Sequence, residues 1–313
     1  MTGFQKLCIV TCVIIFGLII LGGVVRATDS GLGCPDWPRC HGSFIPKWEK
    51  HTLIEYSHRL TASIAGLLVL SVVVVAGRSY RRVPAILYPS IAALALLLVQ
   101  AGLGGAAVLN DLPPEVVAVH LGTAITILTL LLIITTAAFA VTKPMERLHA
   151  SRQFGRLSLL ALALTLPLML IGSYVSGADY GLACNGWPLC NGEVFPSADA
   201  ASVQIHFMHR LLAAVLGAVL LALAWVGWRH RRSVPFVTAF SLLALGVYVI
   251  QAMLGAANVW TELSGEVSGA HLAFATLLWC VLAVLNIRVH RLHQLLPLAP
   301  RPSRRSDLAG ASS

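Results

Sequence analysis

Five histidines lie inside long apolar stretches of this 313-residue chain: His58, His120, His206, His209 and His271. Ionisable side chains are costly in such surroundings, so each is a candidate for function. The pairs His58/His120 and His209/His271 fall at matching depths, near the same ends of their apolar stretches. Two imidazoles that face each other in an apolar helical bundle are typical of bis-histidine haem ligation. The alternative is hydrogen bonding between helices. A zinc site would need three or four convergent ligands, which neither pair supplies.

The two pairs differ at one chemically important position. Glu55 precedes His58 by three residues, whereas His206 precedes His209 by three. Spacing of i, i+3 on a helix places Glu55 on the same face as His58, where a carboxylate suits proton transfer. The alternative is an interfacial glutamate that reaches toward water. The difference predicts one reactive pocket and one pocket that holds a permanent cofactor.

An arginine directly follows the first histidine of each pair, at Arg59 and Arg210. A guanidinium at the outer end of a haem pocket would pair with haem propionates. Equally, it would act as a topology anchor whose charged end reaches the membrane surface. The sequence leaves both roles open.

Two cysteine pairs share the spacing C-x5-C, Cys34 with Cys40 and Cys184 with Cys190. Both fall in segments predicted to face the oxidising outer side, so structural disulfides are the default interpretation. Five intervening residues exceed the spacing usual for zinc ligands. A redox-active dithiol stays open for the first pair.

The composition indicates the elements that must position these groups. Hydrophobic residues make up 57% of the chain and charged residues 11%, and the mean hydropathy is +0.81. A soluble domain carries about 25% charged residues, so a soluble enzyme, a disordered protein and a disulfide mini-scaffold are excluded. Apolar runs long enough to cross a bilayer predict eight helices, near residues 6–26, 52–76, 84–107, 115–141, 157–177, 203–228, 235–259 and 266–289.

Most of the 22 Lys and Arg residues lie on one predicted side of the membrane, around residues 6, 78–82, 143–156, 229–232 and 288–305. The opposite side carries only Arg26, Arg39, Lys47 and Lys50. By the positive-inside rule both termini are cytoplasmic. The net charge of +9 is therefore a topology signal, and nucleic acid is not an expected partner. The first apolar run lacks a clear cleavage site and is expected to be a retained helix.

The chain contains two copies of one unit. Residues 31–40 (GLGCPDWPRC) recur as residues 181–190 (GLACNGWPLC), and residues 58–60 (HRL) recur as residues 209–211. Residues 100–104 (QAGLG) recur as residues 251–255 (QAMLG), and His120 recurs as His271. We therefore predict an all-α polytopic membrane protein of eight transmembrane helices, arranged as two tandem four-helix bundles related by pseudo-twofold symmetry. The predicted parts are an N-terminal half (1–142), a cytoplasmic linker (143–156), a C-terminal half (157–290) and a disordered cytoplasmic tail (291–313).

Three motifs together resemble the haem A synthase family: residues 26–38 (RATDSGLGCPDWP), Glu55-x-x-His58-Arg59-Leu60, and His120. The resemblance extends over about residues 6–290. It implies an enzyme of the cell membrane that oxidises the C8 methyl group of haem O to the formyl group of haem A by successive water-dependent oxidations. Haem A then serves haem-copper oxidases.

The resemblance also implies roles for individual residues. His58 and His120 would ligate the substrate haem, with Glu55 as the essential acidic residue, and His209 and His271 would ligate a resident haem b. Cys34 and Cys40 match the paired outer-loop cysteines of the bacterial type, in which a disulfide forms.

The expected partners are haem O synthase, the assembling haem-copper oxidase and a membrane electron acceptor such as a quinone, and a homo-oligomer stays open. The alternatives are a di-haem electron-transfer cytochrome or a haem carrier, neither of which oxidises a methyl group.

Overall fold

The described part of the chain is all-helical. The structure, a computed structural model, describes residues 1–143, 145, 148–197, 200–229 and 231–291. Its helices are α1 (Gly3–Ala27), α2 (Lys50–Ser79), α3 (Pro84–Leu109), α4 (Pro114–Thr142), α5 (Arg152–Gly177), α6 (Ala201–Arg229), α7 (Pro235–Trp260) and α8 (Gly265–Val289). All eight are long and apolar enough to cross a membrane. The predicted fold class is confirmed.

The helix ends follow the local sequence. Three helices begin at a proline, Pro84, Pro114 and Pro235, whose fixed φ and missing N–H suit the first helical position. The start of α5 is five residues earlier than predicted, at Arg152, because Ser151 accepts a hydrogen bond from the Phe154 amide and caps the helix inside the expected linker. The tail predicted at residues 291–313 lies, apart from Arg291, outside the described residues.

Helices α1, α4, α5 and α8 form the centre of the molecule. Contacts of α1 with α8 correspond to contacts of α5 with α4, and contacts of α1 with α4 correspond to contacts of α5 with α8. This pattern is compatible with the predicted pseudo-twofold relation. Each half has its own apolar core, represented by Leu131 in α4 and by Leu220 in α6. A hydrogen bond of 2.8 Å from Trp279 Nε1 to Thr129 Oγ1 joins α8 to α4 across the halves.

Two long loops, residues 28–49 and 178–197, lie at the same end of the bundle and contact α2 and α6 of their own halves. Each contains a cis Trp-Pro peptide, at Trp37-Pro38 and Trp187-Pro188. The Trp37 ring packs so closely on α3 that a Cβ at Gly105 would lie 2.9 Å from it. Each loop therefore covers the end of the bundle where the paired histidines lie.

Candidate functional site: two histidine pairs beneath the outer loops

The structure brings the predicted histidines together in two pairs. His58 on α2 and His120 on α4 are near enough for their rings to interact electrostatically. His209 on α6 and His271 on α8 are related in the same way. Each pair is held within its own half, between the second and the fourth helix of that half.

Each of the four imidazole rings packs against a glycine of a neighbouring helix. A Cβ at these glycines would lie close to the ring atom Cε1: 3.2 Å for Gly22 and His58, 3.2 Å for Gly104 and His120, 2.8 Å for Gly172 and His209, and 3.2 Å for Gly255 and His271. Even alanine would therefore crowd the ring. The glycines come from the first and third helices of each half, so all four helices of a half position its pair.

The glycines also bring the rings near main-chain carbonyl groups. The backbone of Gln100 lies beside His120, that of Leu168 beside His209, and that of Gln251 beside His271. Each of these residues stands four positions before the glycine that contacts the ring.

The Nδ1 atoms of all four paired histidines are buried, and their geometry falls short of a hydrogen bond. Each residue as a whole is partly buried. A backbone carbonyl beside Nδ1–H is the usual companion of a histidine that ligates a metal through Nε2.

Gln251 makes a specific contact in the C-terminal half. Its Nε2 lies 3.2 Å from Nε2 of His271, while its Oε1 is buried without a hydrogen-bond partner among the described residues. Gln100 occupies the corresponding position in the N-terminal half, and within the same part of the chain its Oε1 likewise has no partner. An iron atom on His271 Nε2 would replace the Gln251 contact.

Glu55 is buried one turn before His58, with only 5% of its surface exposed. Its Oε1 accepts a hydrogen bond of 2.9 Å from Nε of Arg59, and the two side chains form an ion pair. Removed from water, a carboxylate is retained in charged form only with such a partner. Glu55 is thus enclosed by protein and paired with Arg59.

Arg59 connects the site to the loop of residues 28–49. Its terminal nitrogens donate to the backbone carbonyls of Cys34, Asp36 and Arg39 at 2.7–2.9 Å. With the bond to Glu55, four of its five N–H groups are directed at atoms of the protein. One N–H remains for another acceptor, and its pairing with a propionate stays a prediction.

His206 takes the place of Glu55 in the C-terminal half. Its Nε2 lies 3.2 Å from Nε of Arg210, and its Nδ1 lies 3.3 Å from the backbone nitrogen of Cys184. A neutral imidazole has one acceptor nitrogen, so it accepts from one of these donors at a time. Arg210 repeats the loop contacts of Arg59, donating to the carbonyls of Cys184, Gly186 and Leu189. The two halves share one scaffold, but an acidic group is present at this position only in the first.

Both cysteine pairs lie at disulfide distance within the loops that the arginines hold. The Sγ atoms are 2.01 Å apart for Cys34 and Cys40, and 1.96 Å apart for Cys184 and Cys190. All four side chains are buried.

The first loop is tightened by Asp36, which accepts from the backbone amides of Gly42 at 2.7 Å and of His41 at 2.5 Å. The Gly42 amide, followed by that of His41, holds the pKa of Asp36 below its ordinary value of 3.8.

The residues present fit a haem in each half. In each half one imidazole comes from the second helix and one from the fourth, their Nδ1 atoms are buried, and a glycine of a neighbouring helix makes room for each ring. Bis-histidine ligation requires this donor set.

The sequence patterns did not predict that Gly22, Gly104, Gly172 and Gly255 contact the histidine rings. The repeat offset could have found Gly22 and Gly172, because they are separated by 150 positions like the cysteine loops.

Eight membrane-spanning helices with a histidine pair in each half define a polytopic membrane protein of the haem-binding class. A family model described as "Cytochrome oxidase assembly protein" matches residues 5–283. The chain is 31% identical to a heme A synthase of Symbiobacterium thermophilum, over 85% of this chain and 89% of that protein. It is 30% identical to one of Geobacillus kaustophilus, over 86% of each chain, and 29% identical to one of Shouchella clausii, over 92% and 98%. The chain belongs to this family of haem A synthases, as its motifs predicted.

Proposed function

We propose that the protein is a haem A synthase that oxidises a methyl group of haem O to the formyl group of haem A. The observation that carries the proposal is the buried Glu55–Arg59 ion pair beside His58, which the second half replaces with His206 and Arg210. A symmetric electron-transfer protein has no need of an acid in one half alone. The named relatives, which are heme A synthases, support the same reaction.

The reaction specifies what the protein must provide. Conversion of R–CH₃ and water to R–CHO releases four protons and four electrons. Each two-electron oxidation is accompanied by addition of one water: the first gives the alcohol R–CH₂OH and the second gives the aldehyde hydrate R–CH(OH)₂, which then loses one water. The site must therefore hold the substrate in one orientation, accept protons near its methyl group and pass electrons to an acceptor.

We assign proton acceptance to Glu55. Its Oε1 is held by Arg59 Nε, so Oε2 is the atom that would take a proton from the methyl group or from water. Arg59 fixes the carboxylate and compensates its charge, and His58 and His120 would ligate the substrate iron. Residues 1–142 thus constitute the substrate half.

We assign the resident haem b to His209 and His271, within residues 157–290. When bound, this group supplies one-electron transfer between the substrate half and a membrane acceptor such as a quinone. In the protein, Gly172 and Gly255 leave room for the two rings, and Gln251 would turn away from His271 on ligation.

The same proposal includes the location of the protein and its partners. The basic segments at residues 78–82 and 229–232 and the helix count support two cytoplasmic termini in the cell membrane. Haem O and haem A are both hydrophobic, which favours transfer from haem O synthase and to a haem-copper oxidase by direct contact. The family description supports a role in oxidase assembly.

One experiment separates the enzyme from its alternatives. The protein is expressed with a source of haem O, and the extracted haems are identified by mass. Haem A or its hydroxylated precursor supports the enzyme, whereas unchanged haem O would contradict it and favour an electron-transfer cytochrome or a haem carrier. Glu55→Gln provides the matched variant that should bind haem and leave it unchanged.

A further inference from the structure

We propose that a groove between α4 and α5 receives the isoprenoid tail of the substrate haem and so determines how the macrocycle is oriented. The inference rests on the proposed function, because haem O differs from protohaem by a hydroxyethylfarnesyl chain in place of a vinyl group. The groove has a volume of about 280 Å³. Its lining residues come from both halves of the protein: Val119, Gly122, Thr123 and Thr126 of α4, Leu166 and Leu170 of α5, and Leu96 of α3.

The lining is suited to a hydrocarbon chain. The hydroxyl of Thr123 donates to the Val119 carbonyl at 2.9 Å, and that of Thr126 donates to the Gly122 carbonyl at 2.8 Å. With these hydroxyl donors directed at the helix backbone, the threonines contribute their methyl groups to the groove. Gly122 keeps the groove open between α4 and α5, since a Cβ there would lie 3.1 Å from Cδ2 of Leu170.

One end of the groove is lined by a residue that adjoins His120 in the chain. Val119 immediately precedes His120, which is the α4 member of the first histidine pair. From Val119 to Thr126 the lining follows α4 for about 10 Å, at about 1.5 Å per residue, toward the middle of the helix. A chain attached to a haem held by His120 would therefore enter the groove at Val119 and extend away from the outer loops.

The second half does not preserve this space. Counting from His120 and His271, Gly122 corresponds to Ala273, Thr123 to Phe274 and Thr126 to Leu277. Phe274 packs against the apolar core of the C-terminal half, α5 to α8. On the facing helix, Leu166 corresponds to the larger Phe16 and Leu170 to Ile20, which has the same size. At the two remaining positions, Val119 and Leu96 correspond to the smaller Ala270 and Val247.

Larger side chains thus occupy the positions equivalent to Gly122, Thr123, Thr126 and Leu166, and the three on α8 lie in the half that has no acidic residue at position 206. The α4 side of the groove and Glu55 thus lie in the same half, as expected if only the first half binds a haem with a long substituent.

Binding of the tail in the groove would determine which methyl group of the haem is oxidised. Two axial histidines leave the macrocycle free to rotate about the axis through the iron, and a porphyrin of this type presents several methyl groups. Fixing one substituent in the groove leaves a single orientation, and thus one methyl group, directed at Glu55. Because the groove is open to the acyl chains of the bilayer, its contribution comes from packing and positioning rather than from transfer out of water.

The test compares the binding of two ligands to the wild type and to variants of the groove. Purified protein carrying its resident haem is titrated in nanodiscs with haem O and, separately, with protohaem, and binding is followed in the Soret band. The variants Thr123→Phe and Thr126→Leu install the residues found at positions 274 and 277. We expect each to weaken haem O binding by about tenfold or more, within the discrimination of apolar pockets, and to leave protohaem affinity unchanged.

Leu98→Phe on α3 is the matched control, because Leu98 is 70% exposed and does not line the groove. An unchanged spectrum of the resident haem shows that a variant is folded. Equal affinity of the wild type for both ligands, or an equal loss of both in the variants, would overturn the proposal and leave the groove to a lipid chain. A wild type that prefers haem O but makes no haem A would support the groove and contradict the enzymatic function.

Discussion

Nε of Arg59 lies 2.9 Å from Oε1 of Glu55, and the same guanidinium donates to three carbonyls of the first outer loop. Loop and carboxylate are thus held by a single side chain. Any change that shifts this loop shifts Arg59, and with it the acidic group beside His58. In the second half the equivalent arginine, Arg210, contacts His206 instead of a carboxylate.

Glu55→Gln should lower the rate of aldehyde formation by about a hundredfold or more, since the amide does not accept the protons released. The substrate haem should still bind, because His58 and His120 are unchanged. Rates are measured by mass analysis of extracted haems. The exposed Glu49→Gln, at the start of the same helix, is the control, and equal activity of the Glu55 and Glu49 variants would contradict the assignment.

Variants of the two histidine pairs should separate the haems. His271→Ala should remove the absorbance of the haem that copurifies with the protein, because one of its two axial ligands is lost. His120→Ala should retain that absorbance and lose binding of added haem O. Optical spectra before and after titration record both effects. Loss of the resident haem in the His120 variant, with retention in the His271 variant, would reverse the proposed division of labour.

Gly172→Ala should reduce occupancy of the resident haem and shift its potential, because the new Cβ would lie 2.8 Å from Cε1 of His209 and displace the ring. Overpacking of this kind costs about 1–3 kcal/mol. A redox titration and the haem-to-protein ratio report the change. Gly246→Ala in the same half has open space around its Cβ and should be neutral or slightly stabilising. Equal behaviour of the two variants would show that ring contact is unimportant.

Removing the Cys34–Cys40 pair by Cys34→Ser with Cys40→Ser should lower conversion by about tenfold or more, because the Cys34 carbonyl is one of the groups that hold Arg59. The equivalent change at Cys184 and Cys190 should mainly weaken retention of the resident haem. Conversion rate and haem content are measured for both double variants. If both serine pairs affected the two readouts equally, the proposed link between the first loop and Glu55 would be wrong.

The contacts of Asp36 predict that the first loop loses stability at acid pH. The amides of Gly42 and His41 hold the pKa of Asp36 below its ordinary value. Their stabilising effect on the loop is therefore fully present at a pH above the ordinary pKa, and it is lost as the pH falls through the lowered pKa. Near neutral pH, Asp36→Asn should speed hydrogen exchange of the Gly42 amide. The second loop, where Gly186 replaces Asp36 and the Asn185 amide donates to Asn191, is the internal control. Unchanged exchange in the variant would contradict the prediction.

Much of the architecture could be predicted because a bilayer imposes strong rules on a sequence. Each backbone amide must bond within a helix, so long apolar runs located the eight spans to within a few residues at most ends. The exception was the start of α5, where Ser151 extends the helix by a cap that hydropathy does not register. The repeat predicted which histidines would be equivalent, and each pair lies in one half of the structure.

The sequence by itself determined the class of protein, the number of spans, the two histidine pairs and the single exchange of Glu55 for His206. These are properties of residue type and order, and an ionisable residue is easy to recognise within a long apolar segment. Only the tertiary structure decided which atoms meet. It joined Arg59 to Glu55 and to the loop, placed four glycines against four imidazoles, and left a groove beside His120 where the second half has Phe274 and Leu277. Such contacts join residues far apart in the chain and depend on the side chains of neighbouring helices, which no local pattern specifies.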